Sequence, residues 1–180
     1  QPYLESGAGG LLSPLPQETE LANLLLYSDF YPQDGQLTLI EQLRDVITEH
    51  IPQEERDWLD PLKHSTLDLV EFLSVDEQGQ RLVFRSIGNA RVYRVPDGAF
   101  YKELQAGQVL LTRLIREPGD VEWERAVIAG AAIRLSCEDG QGLLNAARDY
   151  QRQMEISAGS FELGDWPEFA KRYGHVLLWT

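Results

Sequence analysis

The sequence predicts an α+β fold: N-terminal helices, a small five-stranded antiparallel barrel of SH3-like or OB-like type, and a C-terminal helical tail packed back on it. Three observations carry this expectation. Between residues 17 and 64 apolar side chains recur at helical spacing. From 65 to 135 the texture changes to short runs rich in Val, Leu, Ile, Phe, Tyr and Trp, separated by turn signals. Beyond 136 the helical spacing returns. Five strands are too few for two packed sheets, whereas closing them into a barrel would remove their exposed edges.

The elements follow in order. Residues 1–16 are rich in Gly, Pro and Ser and read as a flexible lead-in, with 17–180 expected to form one packed unit. Leu21, Leu24, Leu25 and Ser28 share a helical face, which Pro32 to Gly35 ends with a turn. Thr38 and Glu41 have the spacing of a capping box, ahead of Leu39, Ile40, Leu43, Val46 and Ile47. A further helix is expected from Pro52, with Glu54 and Glu55 at its dipole-favoured start and Trp58, Leu59 and Leu62 buried. Strands are expected over 66–75, 81–87, 91–95, 108–116 and 121–135, with turns at 76–79, 88–89, 96–98 and 117–120. Asp139 is expected to cap a helix facing inward through Leu143, Ala146, Ala147, Tyr150 and Met154. Asp165, Pro167 and Glu168 mark the start of a last short helix, and 175–179 is apolar enough to dock as an edge strand or against a helix.

Composition narrows the function classes. The 180 residues are 43% hydrophobic and 25% charged, as in ordinary globular proteins. No apolar run approaches the roughly 18 residues of a spanning helix, so no membrane partner is expected. Cys137 is the single cysteine, which rules out an internal disulfide and suits a reducing, cytoplasmic setting. The chain opens on Gln1 without a signal-peptide layout, so a piece of a longer protein is expected. Sixteen basic and 29 acidic side chains give a net charge of −13, which repels phosphate backbones. Nine of the basic residues fall in 65–135, while residues 1–64 hold 3 basic and 12 acidic groups.

Two segments carry a resemblance. "LLLYSDFYPQDGQLTLIEQL", residues 24–43, resembles the opening of a group of uncharacterised bacterial proteins, and residues 52–115 are similar to the small β-barrel that follows in them. In that barrel a leucine-x-x-Gly turn, here Leu104 to Gly107, feeds an apolar strand containing an Arg, here Arg113. Members of the group often carry a SEC-C zinc tail; with Cys137 alone this chain lacks the thiolates for one. The resemblance implies the fold and no catalytic residues.

The residues give little reactive chemistry. Cys137 precedes a helix, but Glu138 and Asp139 beside it oppose thiolate formation. His50, His64 and His175 lack metal-binding spacing, and no cofactor or metal is expected. The carboxylate pairs Glu122/Glu124 and Asp57/Asp60 read as solvated acidic surface. The most informative set is Arg81, Arg85, Arg91, Arg94 and Arg113. Arginines flanking an aromatic on a small barrel suit single-stranded nucleic acid, but the acidic helical section beside them suits internal pairing better.

The favoured reading is therefore a non-catalytic cytosolic interaction or accessory module with a protein partner. Its contact surface is expected at Tyr93, Phe100 and Tyr101, with Phe100 and Tyr101 alternatively plugging the barrel end. The alternative is nucleic-acid binding through Arg85 and Arg91. The second alternative is an enzyme of unknown class using Cys137 or a carboxylate pair.

Overall fold

The computed structural model describes residues 29, 37–42, 51–76, 81–96, 104–122, 124–158 and 166–178. The expected lead-in and first helix lie outside these residues. Residues 39–42 are helical, and the capping box forms as its spacing demands: Thr38 N–H donates to Glu41 Oε2 at 2.9 Å, and Glu41 N–H donates to Thr38 Oγ1 at 3.4 Å.

The helix expected from Pro52 divides into α1 (Gln53–Arg56) and α2 (Leu59–Lys63). Pro61 has no N–H to continue an i→i−4 ladder from Asp57, so the chain restarts with Pro61 in the first turn of α2. Pro61 is buried, while Trp58 remains 36% exposed and Leu59 and Leu62 are only half-buried, contrary to the expected face.

Five antiparallel strands follow: β1 (Thr66–Val75), β2 (Arg81–Ser86), β3 (Val92–Pro96), β4 (Val109–Arg116) and β5 (Ala126–Leu135). They form one sheet in the order β3-β2-β1-β4-β5. The expected closed barrel is not formed. Among the described residues the two edges meet at an isolated bridge between Arg94 and Arg125, with Arg94 N–H donating to Glu124 O at 2.7 Å. Bulges between Phe72 and Ser74 in β1, and opposite Thr112 and Arg113 in β5, increase the local twist that brings the edges together. Residues 121, 122, 124 and 125, expected to open the last strand, are not in it; Asp120 instead accepts from Arg125 N–H at 2.6 Å.

Both faces of the sheet are covered. On the inner side of the curl, Val70, Phe72, Leu82, Phe84, Tyr93, Val95, Leu110, Leu114, Ala126 and Ala132 form one apolar cluster. On the outer side Leu67, Leu69, Val109 and Leu111 pack under α3 (Cys137–Ala158) and α4 (Trp166–Tyr173). Strand β4 is buried along seven of its eight residues, which explains its continuous apolar sequence. The α3 face holds Leu143, Leu144 and Ala147, with Ala146 and Tyr150 half-buried beside them. After α4 the chain forms a 3-10 helix (Gly174–Leu178) rather than an edge strand, and buries Val176 and Leu177.

The β2–β3 turn is shaped by what lies over it. A Cβ on Gly88 would lie 2.4 Å from the Trp166 indole, so only glycine allows α4 to sit this close. Two residues on, Ala90 holds φ at +62°, a left-handed conformation that its Cβ disfavours. Opposite substitutions in this one turn should therefore act in opposite directions. Gly88→Ala should lower stability by about 1–3 kcal/mol through overpacking, whereas Ala90→Gly should raise it by up to about 1 kcal/mol. Urea midpoints of the two variants check this.

Candidate interaction surface

The first turn of α3 is fixed from both ends. Ser136, not Asp139, caps the helix: Ser136 Oγ accepts from Asp139 N–H at 3.0 Å and donates to Asp139 Oδ2 at 2.6 Å. Gly140 then presses the turn onto β4, where a Cβ would lie 2.8 Å from Val109. The result is a shallow depression of about 320 Å³ between the start of α3 and the β1–β2 hairpin. Ile87, Ala90 and Val109 supply its apolar part, and Glu71, Arg85 and Gln141 its polar part. Cys137 stands at it as an exposed free thiol.

Arg85 and Glu71 face each other across paired strands and meet at 2.6 Å, with the Arg85 side chain 49% exposed. Arg91, the other arginine expected in a contact surface, is exposed just before β3, and its carbonyl accepts from Ser86 N–H at 2.8 Å. Strand alternation puts Arg85 on the outer face, opposite Val92, and turns Arg91 to the side of Tyr93. Tyr93 lies in the inner cluster opposite Phe84 and is only 4% exposed. Burial and the neighbouring Asp68 carboxylate push its hydroxyl above the ordinary tyrosine range. The structure therefore brings Arg85 to the depression and places Tyr93 in the core, while Phe100 and Tyr101 lie outside the described residues.

Four of the five arginines, Arg81, Arg85, Arg94 and Arg113, face carboxylates. Arg81 binds Glu117 at 2.7 Å, with Arg125 on the same carboxylate at 3.8 Å, and Arg94 binds Glu124 at 3.3 Å. These partners come from the sheet region itself rather than from the acidic N-terminal section. The exception is Arg113, which lies 1% exposed on the helix side of β4. Its Nη1 donates to Asp29 Oδ1 at 3.3 Å, to Ser65 O at 3.1 Å and to Ser65 Oγ at 2.9 Å, and its Nη2 pairs with Asp29 Oδ2. Lys171 of α4 reaches Asp29 Oδ1 at 2.7 Å and Ser65 O at 3.3 Å. Burial pulls the Lys171 ammonium below the ordinary lysine range, against the opposing pull of Asp29.

The remaining reactive candidates are scattered. Glu122 and Glu124 are exposed, as are Asp57 and Asp60, and Asp60 lies 3.5 Å from Arg116 and 3.7 Å from His64. Among the described residues no group of three His, Cys, Asp or Glu side chains is placed to hold a metal ion. Nor is any helix among them long and apolar enough to cross a membrane. Fold and surface together define an α+β protein built on an open five-stranded antiparallel sheet with both faces covered. No protein family, curated protein or solved structure matches the chain.

The two kinds of ion pair should respond differently to mutation. Asp29→Ala removes the carboxylate from the buried Arg113 guanidinium and the half-buried Lys171 ammonium and should cost about 3–5 kcal/mol. Arg85→Gln removes one half of an exposed pair and should cost less than about 1 kcal/mol. Thermal and urea unfolding of the two variants, compared with the wild type, measure the contrast.

Proposed function

We propose that the protein is a non-catalytic interaction module of the cytoplasm, and that the depression beside Cys137 is its contact surface. The observation that carries this reading is the depression itself. At about 320 Å³ it is at the small end of ligand cavities and suits one anchoring side chain of a protein partner. Its apolar floor would take the anchor, and Arg85, Glu71 and Gln141 at its rim would fix orientation. The sheet around it fits a small barrel of SH3-like or OB-like type left open at one seam. Nucleic-acid binding through the arginines is the weaker reading, because Arg81, Arg85, Arg94 and Arg113 each face a carboxylate.

The single thiol makes the test direct. A benzophenone attached to Cys137 should crosslink a discrete partner in cell extract, and excess unlabelled wild type should compete where an Arg85→Glu, Gln141→Arg variant does not. As a control, the same label on Asp149→Cys in a Cys137→Ser background reports an exposed position further along α3. Identical products from both positions, or equal competition by the variant, would overturn the assignment.

A further inference from the structure

The Asp29 carboxylate is gripped in the way proteins grip a free carboxylate. Among the described residues every bond to Asp29 runs through its side chain. Oδ1 accepts from Arg113 Nη1 at 3.3 Å and from Lys171 Nζ at 2.7 Å, and Oδ2 accepts from Arg113 Nη2. A guanidinium on both oxygens, with an ammonium beside it, is a recognition geometry for carboxylates. None of these residues lines the depression beside Cys137.

The grip is built without help from the segment to which Asp29 belongs. Arg113 is set in β4, opposite Leu67 of β1 in register. Ser65 N–H and Oγ both donate to Leu62 O, at 3.1 and 2.6 Å, so Ser65 Oγ is held to accept from Arg113 Nη1 at 2.9 Å. Lys171 follows Phe169 and Ala170, which are fixed in the core. Residues 62–171 therefore place the donors, and Asp29 meets them.

The donors also need an acid. Arg113 is 1% exposed, and its Nε has no acceptor among the described residues. Without Asp29 the buried guanidinium would keep only Ser65, and a replacement carboxylate would relieve the uncompensated charge. Asp29 itself lies a short length of chain from the surface, because Leu37, eight positions on, is 49% exposed.

We propose that Arg113 and Lys171 form a binding site for an acidic peptide, with Asp29 as its built-in occupant, and that an aspartate or glutamate from a partner protein's segment exchanges with it. The sequence sets Tyr27, Phe30 and Tyr31 about Asp29, so the competing segment should carry its acid among aromatic residues. An outside peptide reaches the site only in those molecules whose Asp29 is displaced, which lowers its apparent affinity by that fraction. Removing Asp29 removes the competitor.

The probe is a fluorescein-labelled peptide of residues 27–33, whose single acid is Asp29, added to the full chain and followed by fluorescence anisotropy. It should bind Asp29→Ala about tenfold or more tightly than it binds the wild type. The Asp29→Asn form of the peptide should bind the same Asp29→Ala protein about tenfold or more weakly than the parent peptide, having lost the charge-assisted pair. The carbon-13 resonance of the Asp29 carboxyl in the wild type, followed as unlabelled peptide is raised to saturation, should move to the position of a solvated carboxylate. That reading needs no variant and stands even if Asp29→Ala does not fold. No binding to either protein, equal affinity for the two, binding indifferent to the peptide's aspartate, or an unmoved Asp29 resonance in the peptide-saturated wild type would each overturn the proposal.

Discussion

A guanidinium cannot be left alone in a protein interior, and the burial of Arg113 is the constraint from which the arrangement of this chain follows. An unpaired charge at such a position would cost several kcal/mol, so whatever covers the helix side of β4 must bring a carboxylate with it. Asp29 supplies it from 84 positions earlier in the sequence, and Ser65 adds a carbonyl and a hydroxyl where the chain enters β1. The same carboxylate then accepts Lys171 of α4. One buried acid thus joins the N-terminal segment, the central strands and the C-terminal helix. Loss of the N-terminal segment would strip the buried Arg113 of its carboxylate.

The seam where the sheet comes nearest to closing uses the opposite kind of electrostatics. Arg81, Arg94 and Arg125 meet Glu117 and Glu124 at the margin, where water screens both partners and each pair contributes little to stability. These pairs fix geometry more than they hold the fold. They lie where the two sheet edges meet at the Arg94–Arg125 bridge. The cationic character of the middle of the chain is thereby neutralised locally, which leaves the net negative charge of the protein largely uncompensated at its surface.

The strands were legible because their signals are local. Alternation in "RLVFRS" forces Leu82 and Phe84 inward and Arg81 and Arg85 outward, and that is where they lie. The capping box at Thr38 was legible for the same reason. Closure was not, because it depends on bulges and on register between distant strands, which strand composition does not encode. Tyr93, expected at a contact surface, lies in the core, where its partner across the sheet, Phe84, sets its side. The cluster of Asp29, Arg113 and Lys171 had no spacing to betray it. The single usable hint was an arginine inside "VLLTRLI", a run too apolar to be facing water. Asp68 in "TLDLVEF" carried the same kind of hint and went unread.

Asp29 and Asp68 are nearly equally buried, and the difference between them shows how the environment of a carboxylate sets its role. Asp29 lies against two cations, the Arg113 guanidinium and the Lys171 ammonium. Asp68 lies among neutral donors, so its charge is an imposition on the folded state, and burial raises its affinity for a proton. Both carboxylates hold α4, one through Lys171 and the other through Trp166, at positions five residues apart in the same helix. The second attachment is an indole N–H donated to a buried carboxylate, the first an ion pair. The same helix is thus tied at one end by an indole hydrogen bond and toward the other by an ion pair. That asymmetry is written into the difference between a cation and an indole as neighbours of an aspartate.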